Sequence, residues 1–265
     1  MAQVFERDNF EQRWAQLAQI DTAEDDRLRQ ICAMVPKGVQ QALDIGAGQG
    51  WLAKYLSLSR PEIDMAGVDW SFTGMQKFPG KAIVAACQAL PFADRMFDLV
   101  TCCDCVEHLP DEIYKTALEE IKRLSRRYVI INTPINEGII GRDRSTCCCE
   151  RCHQLFHCDH HVRYFTREDY ERLLAPEYKL IAEAYGGWDI RFVVKLPLAW
   201  AGAIQWGWRP SLICPHCGNR DFKNPLWQQK LRWAISMFDY GITRPFRKRL
   251  TRKSEIIALF ERIKD

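Results

Sequence analysis

The sequence predicts an α/β protein built on a doubly wound, mainly parallel sheet of seven strands. Three observations predict it: short apolar runs alternating with helically spaced ones, a Gly-x-Gly-x-Gly loop directly after the first run, and an aspartate ending the second. At 265 residues and 47% hydrophobic content, the chain is long enough to bury one sizeable core with one small appended module.

Phe10, Trp14 and Leu17 recur at helical spacing, and Leu28, Ile31, Cys32 and Val35 do so again, so two helices open the chain. Residues 41–45 read as a short buried strand entering the loop Gly46-Ala47-Gly48-Gln49-Gly50, and Leu52, Tyr55 and Leu56 mark the helix behind it. A second strand ends at Asp69, a third covers 82–85 and a fourth 97–101. Ile113, Ala117, Leu118, Ile121 and Leu124 mark an amphipathic helix leading to a fifth strand, 128–132, closed by Thr133-Pro134. Residues 179–185 and 190–195 are expected to complete the sheet as a hairpin across Gly186-Gly187. The resulting organisation is N-terminal helices (1–38), a core (39–140), a Cys/His-rich insertion (141–166), the end of the sheet (167–197), an apolar segment with a second cysteine pair (198–225) and a basic, helical tail (226–265).

The formal charge of +3 is too small to argue for nucleic acid by itself, but its distribution is uneven. From Leu226 onward ten Lys or Arg stand against four Asp or Glu, a net of +6 that leaves −3 for the rest. Arg244, Arg247, Lys248, Arg249, Arg252 and Lys253 would meet phosphate or an anionic membrane surface, or simply solvate a helical face. The first residues mix charges and show no apolar signal region, so a cytoplasmic location is expected, with peripheral contact at the inner face of the membrane as an extension. Residues 196–208 are apolar but too short to span a bilayer; Trp200, Trp206 and Trp208 either touch its surface or pack a core.

Twelve cysteines in a reducing compartment are weighed first as metal ligands or buried hydrophobes. Cys149-x-x-Cys152 and Cys214-x-x-Cys217-Gly218 are two knuckles whose thiolates would close a Cys₄ structural zinc site across the 61 residues between them. Cys147, Cys148, His157 or Cys158 are possible substitutes, whereas Cys102, Cys103 and Cys105 read as small residues lining strand and cleft.

A strand, a glycine loop and a helix start suit a ligand lying against backbone N–H groups. Asp69, 25 residues after Asp44, is placed to accept both hydroxyls of a ribose, Asp44 to orient the loop and meet the ligand's amino acid end, and Trp70 to stack on a base. The series Asp44 to Gly50, Gln88-Ala89-Leu90-Pro91-Phe92, Phe97-Asp98-Leu99-Val100 and Val106-Glu107-His108-Leu109 resembles the Rossmann-like class I S-adenosylmethionine (SAM) methyltransferases over residues 40–135, in particular the subgroup that includes quinone-biosynthesis enzymes. That resemblance implies SAM held by Asp44, Gly46, Gly48, Gly50, Asp69, Trp70, Cys87, Gln88 and Cys103. One departure stands out: Ala85-Ala86-Cys87 occupies the place where the family usually has an acid for the adenine amino group, which leaves adenine to the backbone near Cys87 and to Gln88.

Cys102-Cys103-Asp104-Cys105 lacks the Asp/Asn-Pro-Pro-Tyr/Phe pattern of amide and amine methyltransferases, which argues for an oxygen acceptor and for a base near the methyl. Asp104, Glu107 and His108, at i, i+3 and i+4, would share one helical face. They resemble the divalent-metal site of small-RNA 2′-O-methyltransferases, with Asp159-His160-His161 as a counterpart to that family's later histidine. Metal-free methyltransferases use the same Glu-His to shape the acceptor pocket. A second resemblance, carried by Cys149-x-x-Cys152-x-x-x-Phe156-His157-x-x-x-His161-x-Arg163-x-Phe165 and Cys214-Pro215-x-Cys217-Gly218, is to bacterial methyltransferases associated with surface polysaccharide synthesis. It implies O-methylation of a glycan or glycolipid precursor, with His161 as first candidate base and His108 as second. An RNA 2′-O-methyltransferase and a SAM-binding protein without turnover are the alternatives.

Overall fold

The computed structural model describes residues 2–17, 19, 22–135, 146–186, 188–190, 212–223, 226–227, 229–231, 233–234, 251–253 and 255–263. It divides into two compact units, one comprising Met1–Asn9, Glu137–His161 and Trp188–Lys253, the other Phe10–Asn136, Val162–Gly187 and Ser254–Asp265.

The larger unit is the doubly wound sheet. Its strands are β1 (Gln41–Ile45), β2 (Asp64–Asp69), β3 (Lys81–Val84), β4 (Phe97–Cys103), β5 (Ser125–Pro134), β8 (Tyr178–Ala184) and β11 (Glu255–Arg262), in the order β3-β2-β1-β4-β5-β11-β8. Neighbours from β3 to β5 pair in parallel, while β11 runs antiparallel to both β5 and β8. Strand periodicity sends alternate side chains to opposite faces, and both faces are covered. Leu43, Val129, Ile131, Ala258 and Phe260 pack on one side with Leu118, Ile121 and Leu124 of α5 (Asp111–Leu124). Ala42, Ile130, Ile257 and Leu259 pack on the other with Leu28 and Ile31 of α2 (Thr22–Met34) and Leu52 and Leu56 of α3 (Trp51–Ser59).

The structure departs from the sequence pattern at the tail and at the last edge of the sheet. The tail is helical at 226–227, 229–231 and 233–234, but Glu255–Arg262 is a strand, inserted into the middle of the sheet edge between β5 and β8. Ile256-Ile257-Ala258-Leu259-Phe260 is apolar without interruption because it is buried on both faces. Consequently β8 pairs with β11 rather than with a hairpin partner, and Trp188–Ile190 (β9) pairs instead with Thr251–Lys253 (β10) in the smaller unit. Residues 191–195, Trp200, Trp206, Trp208 and the basic positions 244–249 lie outside the described residues.

Gly67 in β2 allows the sheet to close on Phe78: a Cβ there would lie 2.2 Å from the Phe78 ring. Gly67→Ala is therefore expected to lower stability by about 1–3 kcal/mol in urea unfolding, with part of the loss recovered by adding Phe78→Leu. An unchanged midpoint for the single variant would contradict this packing.

The smaller unit holds the paired strands β6 (Thr146–Cys148) and β7 (Leu155–His157) and a miniature core of Cys147, Cys149, Phe156, Cys158, Leu212 and Cys214. No helix among the described residues is long and apolar enough to cross a membrane.

Candidate functional site

The glycine loop follows β1 as the sequence requires. The N–H groups of Gly46 and Ala47 donate to the Val68 carbonyl at 2.8 and 3.0 Å, which locks the loop across the end of β2. Gly46 and Gly48 have φ of 78° and 52°, and added Cβ atoms would lie 2.8 Å from Cys105 and 2.6 Å from the Trp14 ring. Both positions therefore demand glycine twice over, for conformation and for space. Gly50 then starts α3 without a side-chain cap, leaving the helix N-terminus to serve a ligand.

Asp44 and Asp69 end up buried beside this loop. The Thr101 hydroxyl donates to Asp44 at 2.7 Å, but burial dominates and, with Asp69 nearby, pushes the Asp44 carboxyl up to about 7. Asp69 accepts the N–H groups of Gly48 and Ser71, each at 2.8 Å, and burial raises its carboxyl as well. Each oxygen thereby keeps a second lone-pair direction for a hydroxyl. Trp70 is half-buried, and Cys87 and Gln88 lie together, sulfur to amide oxygen 3.8 Å. Burial holds the Cys87 and Cys103 thiols well above their usual range, so both are neutral.

Sequence reasoning gave the first helix, α1 (Ala2–Gln16), only an apolar face. The structure gives three of its residues work at the ends of the strands, one of them on the loop itself. Glu11 accepts from the N–H groups of Phe72 and Thr73 at 2.8 and 2.9 Å, capping α4 (Phe72–Met75), while Trp14 lies on Gly48. Phe10 lies 6.1 Å from Trp70 and meets His108 edge-on at 5.2 Å. Nothing in local spacing marks these roles, because they arise from how the helix crosses the strand ends.

Beyond β4 the expected helical face of Asp104, Glu107 and His108 does not form. Val106–His108 is one 3-10 turn, and Asp104 has φ of 49° and turns away to pair with Arg27. No ligand group among the described residues combines Asp104 with Glu107 and His108. Arg27, from α2, instead gathers Asp104, Glu24 and, at 3.3 Å, Glu255. This buried cluster ties α2 to the start of β11; burial, then the Asp104 charge, holds the Glu255 carboxyl at about 7. Glu107 and His108 are both buried, and the Glu107 carbonyl accepts the N–H groups of Val162 and Arg163 at 2.9 and 3.1 Å.

In the smaller unit, the two cysteine knuckles are near copies. The N–H of Cys149 donates to Gln154 and that of Cys214 to Asn219, five residues on in each case, while His153 and Gly218, four residues on, donate back to the first cysteine's carbonyl. His153 and Gly218 share the left-handed backbone, at φ of 57° and 69°. Cys149 and Cys217 lie 3.6 Å apart and Cys152 and Cys214 3.7 Å, sulfur to sulfur. A tetrahedron of thiolates at 2.3 Å from zinc has edges of about 3.8 Å, whereas a disulfide requires about 2.05 Å, so the set fits a tetrahedral ion.

His161 is buried, its ring stacks on that of His157 at 4.2 Å and 14°, and its backbone N–H donates to His157 Nδ1 at 3.4 Å. His160 is a tie, not a ligand: its Nε2 lies 2.8 Å from the Ile213 carbonyl, and burial lowers its imidazole to about 4, keeping it neutral. Asp159 is engaged by the Cys158 thiol at 3.3 Å.

Residues 43–130 match the model of a methyltransferase domain family. No curated protein matches the sequence significantly. Among solved structures, a chain of the complex between the Haloferax volcanii Trm112 methyltransferase activator and a methyltransferase superposes with a TM-score of 0.57 at 13% identity, covering 98% of both chains. A protein from Bacillus halodurans described as a methyltransferase gives 0.52 at 14% identity, over 89% of this chain and 97% of that one. A SAM-dependent methyltransferase from Archaeoglobus fulgidus gives 0.51 at 15%, over 90% and 93%. At these identities the structural likenesses establish the fold. The family match makes residues 43–130 a methyltransferase domain, and the glycine loop flanked by two buried aspartates lies within it.

Proposed function

We propose that the enzyme methylates a hydroxyl of a glycan or glycolipid precursor, with His161 or His108 removing the hydroxyl proton. SAM supplies an electrophilic methyl on a sulfonium. The chain's task is to align the acceptor oxygen in line with that methyl and to take the proton at an imidazole nitrogen. Asp44 and Asp69 would hold the amino acid and ribose ends, and Trp70, Cys87, Gln88 and Cys103 would line the adenine and sulfonium side. Zinc at Cys149, Cys152, Cys214 and Cys217 would be structural, since four thiolates close the coordination sphere.

The observation that carries the glycan reading is the built knuckle pair, because it gives physical form to the cysteine pattern of the polysaccharide-associated methyltransferases. A metal-assisted RNA reading would have to use Glu107 and His108 without Asp104, which is committed to Arg27.

Labelled methyl from SAM, incubated with the enzyme and a cell extract, is expected in the glycolipid and polysaccharide fraction. His161→Ala or His108→Ala is expected to lower kcat about 10²- to 10⁴-fold with cofactor affinity unchanged. Label in RNA or in small molecules would refute the acceptor class. No label in any fraction, with cofactor bound, would favour a binding protein.

A further inference from the structure

A second surface, in the smaller unit, has no part in methyl transfer as derived above. Leu226, Trp227, Gln229, Lys230, Leu231, Trp233 and Ala234 are helical and all exposed. Leu226, Trp227, Leu231 and Trp233 leave 71%, 58%, 39% and 68% of their surfaces open to solvent, a high cost for such large apolar groups. Helical spacing places these four, with Lys230 and Ala234, within an arc of about 160°, and Gln229 outside it. Among the described residues these apolar groups thus form one uncovered face, with one lysine set among the tryptophans.

We propose that this face docks the enzyme on an anionic phospholipid surface. Three considerations select a bilayer over other occupants. The segment from Leu226 onward carries a net +6 while the rest of the chain is net −3, so the attraction is concentrated at the end of the chain that bears the apolar face. A second copy would bring two such segments together and repel. Tryptophan and leucine flanking lysine suit the headgroup boundary, where indoles rest between water and acyl chains and the ammonium reaches up to phosphate. The surface requires no particular acceptor, so it stands whichever hydroxyl is methylated.

The full chain should float with vesicles of phosphatidylcholine containing ~30 mol% phosphatidylglycerol, and not with phosphatidylcholine alone. It should be released in ~1 M NaCl, where the screening length falls to about 3 Å. The triple variant Leu226→Ser, Trp227→Ser, Trp233→Ser should reduce the bound fraction at least about tenfold while SAM affinity is unchanged. Three results would each overturn the proposal: no flotation with anionic vesicles, equal flotation with neutral ones, or wild-type flotation by the folded triple variant. Self-association of the wild-type chain without vesicle binding, abolished in the triple variant, would assign the face to a second copy instead. Should the variant not fold, the lipid and salt series on the wild-type protein decides alone.

Discussion

Replacing Cys214 by serine is expected to abolish metal binding and to unravel the segments around both knuckles. The purified protein should contain about one zinc per chain, the variant none, and the melting temperature should fall by more than about 10 °C. The size of the effect follows from how little else holds these segments among the described residues. Their core is a handful of side chains, four of them cysteines, and the knuckle bonds are local. Structural zinc contributes roughly 10–16 kcal/mol in isolated fingers, far beyond what such a core supplies. A strong chelator should reproduce the loss and added zinc reverse it. A metal-free protein with an unchanged melting temperature would show that packed thiols suffice.

The second large effect concerns the proton on Asp44. Its carboxyl, at about 7 in the folded chain against 3.8 ordinarily, favours the protonated form. Stability from this group is thus full below about pH 4 and is lost as pH rises through 7, in the protein without cofactor. An ammonium at the cofactor's amino acid end reverses the preference, since it requires the carboxylate. SAM affinity should accordingly fall about tenfold per pH unit below 7, and the thermal shift it produces should be larger near pH 8 than near pH 6. Asp44→Asn should lower affinity near pH 8 by about 10- to 100-fold and flatten the pH profile. Calorimetric titration of both proteins across that range checks the sign. An affinity independent of pH in the wild type would place the ammonium elsewhere.

Much of the architecture was legible because it depends on local patterns. The short apolar runs of β1 and β5, the helical spacing of Leu118, Ile121 and Leu124, and glycines at positive φ are each written in neighbouring residues. The two knuckles were legible for the same reason, since each is a turn closed by its own amides. Glu255–Arg262 was not: an apolar run of five reads as helix or strand, and only the vacancy between β5 and β8 decides. Arg27 was equally hidden, because its partners lie 3, 77 and 228 residues away.

The sequence by itself thus determined the doubly wound sheet, the glycine loop with its two aspartates and the cysteine pairs. Backbone conformation at glycine, short apolar runs and short ligand spacing are all set within a few residues. The tertiary structure alone decided that the tail enters the sheet between β5 and β8, that Phe10, Glu11 and Trp14 of the first helix pack against the strand ends, and that Asp104 serves an ion pair with Arg27. Those outcomes depend on which distant groups are left needing burial or countercharge once the core has formed, and no local pattern carries that information.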